Sequence, residues 1–333
     1  MTSIVRKGKE DRELSHINHK CVGCGICIDI CPTESLKLGP VLPICRGLLE
    51  MDFVSVQKDT CVLCGICSFA CPVEAFDFKI NNETLEKDPK YPKWECGSEI
   101  EEEKCIYCGN CKTACPREAI FISRKLPDRK NLVMGETEIY KDKCIYCGIC
   151  EEICPADAVT IYKNDISSIK QYTAENIEID EDKCIYCGIC KRACPEEAMK
   201  IVCTTCMDNE NIPKVEITGD IALEQDMCIN CGWCEEICPM DAAKVIKPFE
   251  GEVIVNTEIE CKGDSCHACQ DVCQCNAVSI VDNTSKINPA MCMLCGACVK
   301  ACPQDILDVK RTEMRLTNIR SSSWQKILGS LLE

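Results

Sequence analysis

Cys21-Val22-Gly23-Cys24-Gly25-Ile26-Cys27-Ile28-Asp29-Ile30-Cys31-Pro32 is the stretch on which the reading turns. Two residues separate each of the first three cysteines, three residues precede the fourth, and a proline follows it. The pattern recurs at Cys61, Cys64, Cys67, Cys71; at Cys105, Cys108, Cys111, Cys115; and at Cys144, Cys147, Cys150, Cys154. It returns at Cys184, Cys187, Cys190, Cys194; at Cys228, Cys231, Cys234, Cys238; and at Cys292, Cys295, Cys298, Cys302. Between the last two lies an irregular copy, Cys261, Cys266, Cys269, Cys273. Its first gap is longer, His267 stands where the others have glycine, and Gln274 stands where they have proline. The chain is therefore read as an internal repeat before anything else.

The likeness extends past the thiols. Glycine follows the second cysteine at Gly25, Gly65, Gly109, Gly148, Gly188, Gly232 and Gly296. An acid stands three residues after the fourth at Glu34, Glu74, Glu118, Asp157, Glu197, Asp241 and Asp305, usually before a small residue such as Ala75 or Ala158. Short β-prone runs follow, for example Val159-Thr160-Ile161, and others precede the next motif, for example Ile177-Glu178-Ile179. Each unit thus reads as cysteine loop, short helix, strand, turn, strand.

Four thiolates within eleven residues repel one another unless a cation neutralises them. Two-residue gaps let three sulfurs curl round one face of a compact object, and glycine lets amide N–H groups approach sulfur. In two-cluster ferredoxins such a run gives three ligands to one [4Fe–4S] cluster and the fourth to its neighbour. The motifs should therefore work in pairs. Structural zinc usually draws two close cysteine pairs separated by a spacer, which is not the spacing here. The expectation is eight [4Fe–4S] clusters, with the 32 motif cysteines as iron ligands and no catalytic residue.

Composition agrees. The chain has 333 residues, 37 cysteines, 5% aromatic residues and a formal charge of −16. Oxidised clusters with their thiolates would add about −16 more. So acidic a chain repels polyphosphate, which argues against nucleic-acid binding. No apolar run is long enough for a membrane span, and the N-terminus has no signal-peptide pattern. A cytoplasmic chain with reduced thiols is expected, so disulfides are not.

Cys45, Cys96, Cys203, Cys206 and Cys275 fall outside the motifs. The first two read as bystanders, and Cys203 and Cys206 as spare loop thiols, with a zinc or redox site as their alternative. Cys275 reads as a spare thiol, with replacement of a ligand in the irregular seventh site as its alternative. His267 reads as loop filler, its alternative being a bond to sulfur, and His16 and His19 have no catalytic setting. Trp324, Ile327, Leu328, Leu331 and Leu332 follow helical spacing after a Ser321-Ser322-Ser323 cap candidate, which predicts an amphipathic helix. Docking on the chain's own body and docking on a partner both remain open.

The expected fold class is α+β: tandem two-cluster [4Fe–4S] ferredoxin-like domains, four pairs in all. Sequential pairing gives an N-terminal arm (1–13), ferredoxin domains at 14–92, 93–172, 173–249 and 250–312, and a terminal amphipathic helix (313–333). Nested pairing, with one domain inserted in another, is the alternative.

With these motifs in hand, the chain resembles the archaeal polyferredoxins. More narrowly, it resembles the polyferredoxin subunits of tungsten- or molybdenum-dependent formylmethanofuran dehydrogenases. The likeness rests on the first motif with its continuation to Pro43, on Tyr91-Pro92-Lys93-Trp94-Glu95, Gly97–Ile100 and Cys115–Ile120, and on Lys-Cys-Ile-Tyr-Cys-Gly-Ile-Cys at 143–150 and 183–190. It spans about residues 10–310. The resemblance implies a relay of low-potential electrons toward a subunit that reduces carbon dioxide. It implies as partners the other subunits of such a complex, and as donor a ferredoxin or a heterodisulfide reductase/hydrogenase assembly. A hydrogenase-linked polyferredoxin, a freely diffusing carrier and a thiol-rich metal store are the alternatives.

Overall fold

The computed structural model describes residues 3–85, 90–132, 135–164, 173–203 and 215–332. Two compact units emerge. One comprises 1–98, 225–236 and 245–333; the other comprises 99–224 and 237–244. Regular elements are short because each repeat spends its chain wrapping thiols. Helices such as Ile26–Asp29, Ile66–Phe69 and Ile189–Ala193 are four or five residues long, too short to persist without packing.

In the first unit the strand before one repeat pairs with the strand after its partner. Arg12–His16, ahead of the first motif, pairs antiparallel with Phe76–Ile80, behind the second. Leu36–Leu38, behind the first, pairs with Val54–Val56, ahead of the second. The seventh and eighth repeats do the same: Val278–Val281 with Thr284–Ile287, and Phe249–Val255 with Leu307–Met314. These two pairings join neighbouring repeats in the chain. The core holds Leu14, Ile26, Phe76, Phe249 and Met293, each 2% exposed or less. Around it Phe69 stacks on Tyr91 (5.1 Å) and meets Trp324 (5.7 Å), and Trp94 meets Phe249 edge-on (5.3 Å).

Trp324 belongs to the terminal helix, Ser322–Gly329, whose Ser321 hydroxyl accepts from the Trp324 amide at 3.4 Å. Leu328 and Leu331 are buried. The apolar stripe therefore docks on its own unit, which decides that alternative.

In the second unit the pairing departs from the sequential expectation. Ile120–Lys125, behind the third motif, pairs over its whole length with Thr218–Leu223, ahead of the sixth. Val159–Asn164 pairs with Thr173–Ile179, joining the fourth repeat to the fifth. Gly135–Ile139 and Met199–Cys203 close the same pair from outside. Repeats four and five are thus inserted between three and six, so boundaries at 172 and 173 would divide a paired hairpin. The physical reason is register. Ile120 and Ile122 on one strand face Leu223 and Ile221 on the other, while Val159, Ile161 and Ile177 make a small core of their own.

Candidate iron–sulfur sites

Three left-handed backbone positions recur in every repeat, and they build the pocket. The first lies two residues after the first cysteine: Gly23, Leu63, Tyr107, Tyr146, Tyr186, Asn230 and Leu294. In the irregular repeat it is Gly263, φ 49°. The second follows the second cysteine, and there His267 adopts φ 54° where the other repeats have glycine at 72° to 100°. The third lies three residues after the fourth cysteine: Glu34, Glu74, Glu118, Asp157, Glu197, Asp241, Asn276 and Asp305, with φ between 48° and 53°.

The recurring acid is therefore a turn residue. Its amide donates to the fourth cysteine's carbonyl, as from Glu74 to Cys71 (3.2 Å) and from Asn276 to Cys273 (3.0 Å). The next amide then points at that cysteine's sulfur. Ser35 donates to Cys31 Sγ at 3.3 Å and Ala75 to Cys71 at 3.2 Å; Ala119, Ala158, Ala198, Ala242 and Ala277 do likewise to Cys115, Cys154, Cys194, Cys238 and Cys273 at 3.2–3.3 Å. The residue is small because it is buried there: Ala75 and Ala119 are 0% exposed.

The irregular repeat shares this frame. The Gly263 amide donates to Cys261 Sγ at 3.4 Å, as the Leu294 amide does to Cys292 (3.4 Å). The two extra residues of its first gap are absorbed in a 3-10 turn, Gly263–Ser265. His267 bonds Gln270 (3.1 Å), not sulfur. The backbone thus places Cys261 as it does the first cysteine elsewhere. We expect Cys261→Ala to lower anaerobic iron content by about four per chain; unchanged iron would show that Cys261 holds none.

The thiols gather three from one repeat and one from its partner. Burial first, and then Cys24, Cys71, Cys67 and Cys21, push the Cys27 thiol well up. Cys67 is pushed up by burial and by Cys64, Cys61 and Cys31. Burial and then Cys187, Cys184, Cys150 and Cys154 raise Cys190 to about 12; burial, Cys292, Cys273 and Cys269 do the same for Cys298. Cys302 raises Cys269, behind burial. Cys238 bears on both Cys105 and Cys108, behind burial, which repeats the nested pairing in the thiols themselves.

Among the described residues no three His, Cys, Asp or Glu side chains are close enough to hold a single metal ion. The chemistry of the donor set fits a larger thiophilic group: sulfurs approached by backbone amide donors, many of them pushed up chiefly by burial and then by one another.

The extra thiols have ordinary partners. Cys45 Sγ accepts from Gln274 and Cys96 Sγ from Asn230, both at 3.7 Å. Cys275 is buried, and its thiol bonds Cys231 of the sixth motif. That is a different neighbour from the seventh-site role left open for it. Cys203 ends a strand, its backbone opposite Gly135; Cys206 lies outside the described residues.

Models of the 4Fe–4S dicluster domain match residues 20–75, 60–119, 97–155 and 143–198, and models of the 4Fe–4S binding domain match 221–244 and 285–308. The chain is a tandem array of 4Fe–4S dicluster ferredoxin domains. Among curated proteins this array is similar to the polyferredoxin protein FwdF of Methanocaldococcus jannaschii, 48% identical over 135 residues, 40% of this chain. The match spans 38% of that relative's length. Among solved structures the array is similar to a chain of the formate dehydrogenase–heterodisulfide reductase–formylmethanofuran dehydrogenase complex from Methanospirillum hungatei. The TM-score is 0.61 at 23% identity, over 99% of this chain and 88% of that one, and the likeness is one of fold.

Proposed function

We propose that this chain is the non-catalytic electron relay of a formylmethanofuran dehydrogenase complex. It would carry low-potential electrons through eight [4Fe–4S] clusters toward the tungsten or molybdenum subunit that reduces carbon dioxide. The observation that carries the reading is the threefold left-handed frame, present in all eight repeats including the irregular one. Each bound cluster would supply reversible one-electron storage.

The residues proposed to hold them are the 32 motif cysteines, from Cys21 to Cys302. Repeats one and two, and repeats seven and eight, would exchange their fourth cysteines and so keep two sites side by side. Amides at sulfur favour the more negative, reduced state. Basic side chains offset charge from outside: Arg6 donates to Cys61 O (2.8 Å), Arg124 to Cys108 O (3.0 Å) and Arg129 to Cys184 O (2.6 Å). Resemblance to FwdF supports the other subunits of such a complex as partners, with a ferredoxin or a heterodisulfide reductase/hydrogenase assembly as donor. No described helix is long and apolar enough to cross a membrane, which is compatible with the cytoplasmic setting we propose.

Anaerobically isolated protein should contain about 32 iron and about 32 acid-labile sulfide per chain. It should copurify with a tungsten- or molybdenum-containing subunit. Zinc in place of iron would end the electron-transfer reading; a monomeric pool free of partners would leave a diffusing carrier instead.

A further inference from the structure

The basic residues that cap cysteine loops mostly reach a single loop from exposed positions, as Arg6, Arg124 and Arg192 do. Arg311 is different. It is 7% exposed. Its Nε donates to Leu294 O and its Nη2 to Cys295 O, both at 2.9 Å, and its Nη1 to Leu331 O at 3.4 Å. Its Cζ lies 4.8 Å from the Phe249 ring centre. Every hydrogen-bond partner is a neutral carbonyl. Among the described residues no carboxylate comes within ion-pair distance of it. A buried cation without a counter-ion is costly, so its position calls for an opposing charge that the side chains do not supply.

The neighbouring thiols identify that charge. The guanidinium faces Cys24 and Cys295, with Asp29 and Cys292 beyond. Cys24 belongs to the first repeat and Cys295 to the eighth, and Cys24 is the thiol from outside its own repeat that bears most on Cys295. The loops meet closely here: a side chain on Gly25 would run into Lys300 at 2.8 Å, and one on Gly296 would lie 3.2 Å from the Arg311 guanidinium. The strand carrying Arg311 is held in place by a bulge, since Glu250 pairs with Glu313 but Gly251 pairs with Arg311. Gly251 sits at φ 141°, and any side chain on it would strike the Lys310 carbonyl. A bulge re-aims the side chain beside it.

We propose that Arg311 is a shared redox-tuning cation. It holds the site of Cys21, Cys24, Cys27 and Cys71 and the site of Cys292, Cys295, Cys298 and Cys273 at raised, matched potentials, so that an electron leaving one is accepted by the other. This rests on both sites holding clusters. The step moves one electron, with no bond made or broken. A fixed positive charge favours the reduced state of both neighbours, and burial keeps water and salt from screening it.

The test is anaerobic potentiometric titration, followed by electron paramagnetic resonance, of the iron-loaded full chain and of its Arg311→Gln and Arg311→Lys variants. In Arg311→Gln two centres should fall in potential. Their reduced-to-oxidised ratio at fixed poise should drop about tenfold, which is 59 mV for one electron. Arg311→Lys should keep most of the wild-type potential because it keeps the charge. Unchanged midpoints in iron-replete Arg311→Gln would overturn the inference, as would an equal fall in Arg311→Lys. If Arg311→Gln loses iron, Arg311→His at pH 8, where imidazole is neutral, takes its place. It should show the same fall, and wild-type midpoints would refute the role. A wild-type chain with full iron but no signal on reduction would instead overturn the cluster reading beneath it.

Discussion

Stripping iron with a chelator under anoxia should unfold this chain, and far-UV circular dichroism should lose most of its native signal. The apo frame has little to stand on. The helices of its cysteine repeats are four or five residues long, below the length at which a helix holds itself together. Non-glycine residues in left-handed conformation, such as Tyr107, Tyr146 and Tyr186, cost about 1 kcal/mol each. The second unit should go first. Its separate buried core is Val159, Ile161 and Ile177, whereas the first unit buries Phe76, Phe249 and Met293. Metal binding is therefore folding energy here.

The pH dependence has a definite sign. Without a cation among them, burial chiefly, with neighbouring thiols, raises Cys71 to about 12 and Cys150 to about 11. These thiols are protonated at neutral pH, so loading must displace protons. Iron should be lost more readily at pH 6 than at pH 8. Native dichroism after complete iron removal would refute the folding claim.

The second large effect concerns topology. Deleting residues 126–217 and joining Lys125 to Thr218 through an Asn-Gly turn should leave a folded protein with about 24 iron instead of about 32. Lys125 and Thr218 are already opposite one another at the end of an antiparallel ladder, and Asn-Gly suits a two-residue hairpin. The deletion removes repeats four and five, which pair with each other, and leaves three and six with their own strands matched. Sequential pairing predicts the opposite. Three and six would each lose their partner, and iron would fall to about 16. Iron analysis with quantified electron paramagnetic resonance separates the two outcomes.

The cysteine spacing made the repeats legible, as the apolar spacing after Ser321-Ser322-Ser323 did the terminal helix. It did so because ligand geometry constrains residue type directly. Pairing was harder to read. Connections between motifs three to six are similar in length, and a two-stranded ladder such as Ile120–Lys125 with Thr218–Leu223 carries little sequence information about its partner. The near-identical phrases at 143–150 and 183–190 were the available hint that four and five belong together. The acid after each fourth cysteine was visible as a pattern, but its reason is conformational. The left-handed position after the first cysteine was hidden, since Gly23, Leu63, Tyr107 and Asn230 share a backbone angle and no chemistry. Arg311 carried no motif at all; only burial and the convergence of two loops reveal it.

The exchange of fourth cysteines has a bearing on how the molecule fails. Where each pocket borrows a wall from its twin, corrosion of one by oxygen releases a cysteine carried by the other's loop and loosens that loop. Damage in air should therefore spread within couples and stop at their borders, with inactivation proceeding in steps of two rather than one.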